Sequence, residues 1–239
     1  MTRRTISGNQ ARRQLLSLGA SVAGISLLAC GGPGARAEAK SADQSERDDH
    51  EEAEVTPGED LMQEHGVLER IVIVYDTAAL RIDRNESLDP AVVAKAAGIV
   101  RRFVEDYHER TEEKFVFPRL QAAGREAALV TILLRQHERG RQLTDEIVRR
   151  AGTGASSELA QVLRSFGHMY RAHASREDTI IFPAFRQIVG GSEYEELGER
   201  FEEREHQLLG EHGFEGAVAE VARLEAQLGI ADLAGFTPP

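Results

Sequence analysis

His108-Glu109-Arg110-Thr111-Glu112-Glu113-Lys114-Phe115-Val116-Phe117-Pro118 has a near copy in His173-Ala174-Ser175-Arg176-Glu177-Asp178-Thr179-Ile180-Ile181-Phe182-Pro183. Both read histidine, three residues, glutamate and a second acid, then Phe-Pro nine and ten positions after the histidine. Residues four apart lie on one helix face, so His108 with Glu112, and His173 with Glu177, each project an imidazole and a carboxylate together. Two such helices can present matched ligand pairs to one another.

Working outward, the chain reads as all-α. It has no Trp, few aromatics and long stretches without Gly or Pro, and it is rich in the residues that favour helix. Thr56-Pro57-Gly58-Glu59 carries a cap residue, a proline at the first helical position and a glutamate three after the cap. A helix is predicted from there to about Ile82. Asp89-Pro90 opens a second, predicted to end near Phe117 because Pro118 cannot continue it. A third runs from about Arg125 to Ala151, and a fourth starts at Ser156 or Ser157 and stops before Pro183 or just beyond it. A fifth begins near Ser192 and is interrupted around Gly210-Glu211-His212-Gly213. Four helices with short connections make an up-down-up-down bundle over residues 57–190. Residues 191–239 form a C-terminal helical extension across or beside it.

The two helices outside the repeat each offer one histidine among apolar residues: His65 between Leu61 and Leu68, and His137 after Leu133-Leu134. A lone histidine on an apolar face is ordinarily a core residue. Four histidines and two carboxylates spread over four helices point instead to bound metal. Imidazole with carboxylate suits iron, manganese or zinc, and the lack of cysteine in the set argues against structural zinc. Two histidines per metal and two carboxylates able to bridge give a dinuclear count. His206 and His212 lie on the fifth helix, and His206 is a candidate for approach to the site. His168 falls off the His173 face. Tyr107 and Tyr170 are candidate hydrogen-bond donors or packing rings near it.

The pattern resembles that of the hemerythrin-like (HHE cation-binding) family: His65, then His108-Glu109-x-x-Glu112, then His137, then His173-x-x-x-Glu177. The resemblance implies a four-helix bundle holding two non-haem irons. Glu112 and Glu177 would bridge, with His65 and His108 on one iron and His137 and His173 on the other. Glu109, about 100° round the helix from His108, would be a supplementary ligand. The oxygen-carrying hemerythrins have two histidines one turn apart on the third helix, where Leu133 and Arg141 flank His137 here. That departure favours reactive or sensing chemistry over simple oxygen carriage.

Residues 1–30 have a charged start, an apolar middle from Leu15 to Ala29 and a small-residue end, which reads as a signal peptide. Arg12-Arg13-Gln14-Leu15-Leu16 resembles a twin-arginine export motif. Leu27-Leu28-Ala29-Cys30-Gly31 resembles a lipobox, which would lipidate Cys30, whereas cleavage after Ala35-Arg36-Ala37 would release a soluble protein. Residues 31–56, with His50, read as a disordered acidic tether. The expected location is the periplasm or cell envelope, with membrane contact only through the lipid anchor. The formal charge is −11. Removing the four arginines of the leader leaves 25 basic side chains against 40 acidic, which disfavours nucleic acid.

Two functions are compatible with these residues. One is a di-iron protein that handles or senses oxygen or iron outside the cytoplasm. The other is a di-iron oxidoreductase acting on peroxide, oxygen or nitric oxide. In either, the partner is oxygen, another small diatomic or a peroxide. A ferritin-like scheme using Glu105/His108 and Glu203/His206 at Glu-x-x-His spacing is a third option.

Overall fold

The computed structural model describes residues 55–238. The expected signal peptide, Cys30, His50 and nearly all of the acidic stretch lie outside them. Among the described residues the fold is all-α, as expected. Helix α1 is Pro57–Asp83, α2 spans residues 90–122, α3 is Ala127–Ala151 and α4 spans residues 157–188. Two further helices, α5 (Ser192–Leu209) and α6 (Gly213–Gln227), follow. No helix among the described residues is long and apolar enough to cross a membrane.

The capping signature at Thr56 is formed: its side chain accepts from Glu59 N–H while the Glu59 carboxylate takes the Thr56 N–H. Thr56 thereby satisfies backbone donors that have no partner inside the helix.

The expected stop at Phe117 is not observed. Helix α2 continues through Pro118 to Ala122 because the backbone widens into a π turn over Glu112–Val116. There the Phe117 N–H reaches back five residues to the Glu112 carbonyl. Helix α4 does the same over Glu177–Ile181, where Phe182 N–H donates to the Glu177 carbonyl, and it runs on to Ile188. A proline ring inside an α-helix collides with the carbonyl four residues back. The wider turn moves those carbonyls aside, and each proline then sits in the first turn of the next segment, where no N–H is needed. The sequence repeat is therefore a backbone repeat as well.

Two apolar clusters fill the bundle. One gathers Ile71, Tyr75, Phe103, Tyr107, Ile147, Phe166 and Tyr170 among others. The second gathers Leu61, Phe117, Leu120, Leu133, Phe182 and Phe185, with Phe201 of α5. Each helix of the bundle passes from one cluster to the other across its ligand-type residues. On α1, His65 stands between Leu61 of one cluster and Leu68 of the other; on α3, His137 stands between Leu133 and Leu143. A buried polar layer thus lies across an apolar core. Helices α5 and α6 pack on α1 and α2, where Arg70 grips Glu225 at 2.6 and 2.8 Å.

Candidate metal centre

In that layer the four histidines turn their Nε2 atoms inward. His65 and His108 bring theirs to 3.1 Å from each other, and His137 and His173 to 3.2 Å. Two nitrogens each about 2.1 Å from one metal ion, at about a right angle, stand about 3 Å apart. Glu112 and Glu177 lie between the two pairs. Glu112 Oε2 is 3.6 Å from His108 Nε2 and 3.4 Å from His137 Nε2. Glu177 Oε2 is 3.4 Å from His65 Nε2 and 2.9 Å from His173 Nε2. The result is two four-residue groups, His65/His108/Glu112/Glu177 and His137/His173/Glu112/Glu177, sharing both carboxylates.

All six residues are buried, and the two carboxylates are fully so. Beyond those imidazole nitrogens, no group among the described residues is placed to satisfy any of the four oxygens of Glu112 and Glu177. Buried polar groups are almost always satisfied, and a buried charge without a partner is costly. Bound cations are what this donor set fits: two imidazoles and two shared carboxylates for each of two metal ions. Burial pushes the Glu112 carboxyl well above its ordinary pKa, and the charge of Glu177 adds to that. Burial opposes ionisation of Glu177 also, yet His173 and His65 outweigh it and hold that carboxyl low.

The outward nitrogens are anchored as well. His108 Nδ1 donates to Glu64 Oε2 at 2.7 Å, His137 Nδ1 to Glu113 Oε1 at 3.1 Å, His173 Nδ1 to Gln136 Oε1 at 3.0 Å and His65 Nδ1 to Asp178 Oδ1 at 2.7 Å. Each donation turns Nε2 inward, where it can take a cation; on His65 that cation would replace a proton. The anchors form a closed circuit: α1 steadies α2, α2 steadies α3, α3 steadies α4 and α4 steadies α1. Burial lowers His108, and lowers His137 to about 4. For His65 burial acts the same way, but Asp178 and Glu177 overcome it and raise the imidazole to about 9.

Glu64, Glu113, Gln136 and Asp178 had no role in the sequence reading. Each sits directly beside a ligand-type residue, and two are the second acids of the repeat; that adjacency was the available signal. The Phe of each Phe-Pro also acts here. Phe117 stacks on His137 at 5.5 Å between centroids, and Phe182 on His65 at 5.6 Å.

Glu109 is placed beside the two groups. It is buried, receives the Tyr170 hydroxyl at 2.7 Å and pairs with Arg141 at 2.7 Å. It also lies near Glu113 and His137, on the His137 face turned away from the shared carboxylates. Burial lifts its carboxyl to about 8, against the pull of Tyr170 and Arg141. Burial works against the charged form of Glu113 too, but hydrogen bonds from His137 and Arg141 bring it down to about 2.

Of the two tyrosines, Tyr170 has its ring 5.6 Å from that of His173, and Tyr107 turns its hydroxyl to Glu205 at 3.4 Å. His206, expected as a candidate for approach, is exposed on α5, as is Glu203; His168 and His212 are exposed too. Glu105 is buried against Arg101. The Glu105/His108 and Glu203/His206 pairs of the ferritin-like scheme therefore do not converge.

The sequence matches the hemerythrin HHE cation binding domain over residues 56–185. It is also 40% identical over 238 residues to uncharacterized proteins of Mycobacterium tuberculosis and Mycobacterium bovis, covering 95% of this chain and 91% of theirs. No solved structure matches it. With two imidazole pairs facing two shared carboxylates in a four-helix bundle, and a domain match over more than half its length, the chain belongs to the hemerythrin HHE cation-binding domain family.

Proposed function

We propose that this protein is a non-haem di-iron protein that handles or senses oxygen outside the cytoplasm. The observation that carries the reading is the pair of fully buried carboxylates, Glu112 and Glu177, shared by two histidine pairs and with nothing but those imidazoles beside their oxygens. Two irons in such a site supply reversible one-electron chemistry and positions open to a small ligand. The protein's own part is to hold four imidazoles in one tautomer and to keep water from the carboxylates with Phe117 and Phe182. The leader-like residues 1–30 support export, either released or anchored through Cys30.

Anaerobic loading with ferrous iron tests this directly. The expected result is two irons per chain by metal analysis and Mössbauer spectroscopy, with near-ultraviolet charge-transfer absorption that depends on oxygen. Fewer than two irons, or no such absorption, sinks the reading.

One observation favours an oxidoreductase working at the same site. Leu133 is buried in an apolar cluster and Arg141 is engaged by Glu109 and Glu113. The third helix therefore contributes a single imidazole, leaving more positions for reactive ligands. Turnover of peroxide or nitric oxide that disappears in His108→Ala supports this version, and rates no better than free iron reject it.

A further inference from the structure

A cleft of about 340 Å³ opens between α1 and α4, lined by His65, Gly66, Leu68, Tyr170, Ala174 and Asp178 among others. That volume stands at the lower end of small-molecule clefts, about 300–1,000 Å³, and would hold on the order of ten waters. His65 and Tyr170, both nearly inaccessible, are shared by the cleft and the metal layer. The far nitrogen of His65 belongs to one metal-binding group, and the Tyr170 ring lies against His173 of the other. The cleft thus ends on one histidine of the first group and on the tyrosine packed against the second.

Its opening has a residue-level cause. Gly66 sits in the middle of α1, where glycine weakens a helix. No close packing demands it, since a Cβ there would meet nothing within 4 Å. Ala174 and Ser175 line the cleft from α4 and are also small. What Gly66 leaves is room.

Much of the lining is hydrocarbon, from Met62, Leu68, Val72 and Ala174. Its charged groups are engaged in ion pairs: Arg171 with Glu69 at 3.0 Å and Asp76 at 2.6 Å, and Asp178 with His65 at 2.7 Å. A neutral molecule entering there meets hydrocarbon and pairs already made.

We propose that this cleft is the passage by which small neutral molecules reach the centre, held open by Gly66. The proposal rests on the metal-centre reading of the site, and its test separates the two. Crystals of the metal-free full chain under xenon pressure should show xenon against Leu68, Val72 and Ala174. It should be lost in Gly66→Leu and, from the opposite wall, in Ala174→Leu. In iron-loaded protein both variants should slow nitric oxide association at least tenfold, with metal content and the saturated spectrum unchanged. Xenon absent from the wild-type cleft, xenon retained in the variants or an unchanged nitric oxide rate overturns the passage. A chain that takes up no iron sinks the metal-centre reading while leaving the xenon result to be read.

Discussion

Glu64 on α1 holds the Nδ1 of His108 on α2 at 2.7 Å, one link in a circuit that Asp178 closes by holding His65 at 2.7 Å. Such links orient an imidazole and strengthen it as a ligand, and their loss ordinarily costs 10–100-fold in metal affinity. Glu64→Gln and Asp178→Asn should each weaken metal binding by about that factor while still reaching full occupancy at excess metal. Competitive titration against a chelator measures it; unchanged affinity in both variants would show the circuit to be incidental.

Glu112→Gln should change stability in opposite directions with and without metal. Burial and the charge of Glu177 push the Glu112 carboxyl well above its ordinary pKa, so at neutral pH the metal-free fold carries the cost of that raised pKa, and a permanently neutral amide removes it. The metal-free variant should melt higher than metal-free wild type. Wild type should gain about 2.7 kcal/mol at metal a hundredfold above its dissociation constant, or roughly 5–10 °C for a domain of this size, and the variant should gain little. Thermal melts with and without metal decide it, and a variant that gains as much as wild type would remove Glu112 from the site.

Gly140 on α3 is where the Tyr170 hydroxyl is lodged; a Cβ there would fall 1.9 Å from that oxygen and 2.7 Å from the ring carbon bearing it. Gly140→Ala should therefore destabilise by about 1–3 kcal/mol through overpacking. Tyr170→Phe removes the oxygen and should recover part of that loss. The double variant should be more stable than the sum of the single effects predicts, as urea unfolding would show. Strict additivity would contradict the contact.

Arg141 lies 2.7 Å from both Glu109 and Glu113. Burial keeps the Glu109 carboxyl at about 8 even so, and the buried ion pair is therefore complete only above that pH. There, with Glu109 buried and Arg141 partly exposed, Arg141→Ala should cost about 1–3 kcal/mol, below the 3–5 kcal/mol of a wholly buried pair, and less at neutral pH. Adding Glu109→Gln should restore most of it, since no buried charge then lacks its partner. Denaturation of the four metal-free proteins gives the coupling energy, and a value near zero would dismiss the pair.

What the sequence showed followed from helix geometry within one segment. His108 with Glu112 and His173 with Glu177 could be paired because residues four apart share a face. His65 and His137 stood out against apolar stripes. The partners Glu64, Glu113, Gln136 and Asp178 could not be assigned, because each acts on a histidine of another helix and depends on how the helices are rotated. The passage of α2 through Pro118 was misread for a related reason: a proline forbids α winding, and nothing local announces that the backbone will widen instead. Glu109 was expected as a supplementary ligand, and its attachment to Tyr170 and Arg141 required α3 and α4 in place.

The widened turns ahead of Pro118 and Pro183 make the number of residues, and not only their kind, part of the site. A π turn holds one residue more than an α turn can. Deleting a residue between Glu112 and Pro118 would let the helix rewind to α, and the proline ring would again meet the carbonyl four residues back. Phe117, stacked on His137 just before that proline, would be displaced with it. The same holds between Glu177 and Pro183, where Phe182 stacks on His65. Exchanging one side chain in these stretches alters a contact, whereas gaining or losing a residue alters the winding. Part of what they encode is a length.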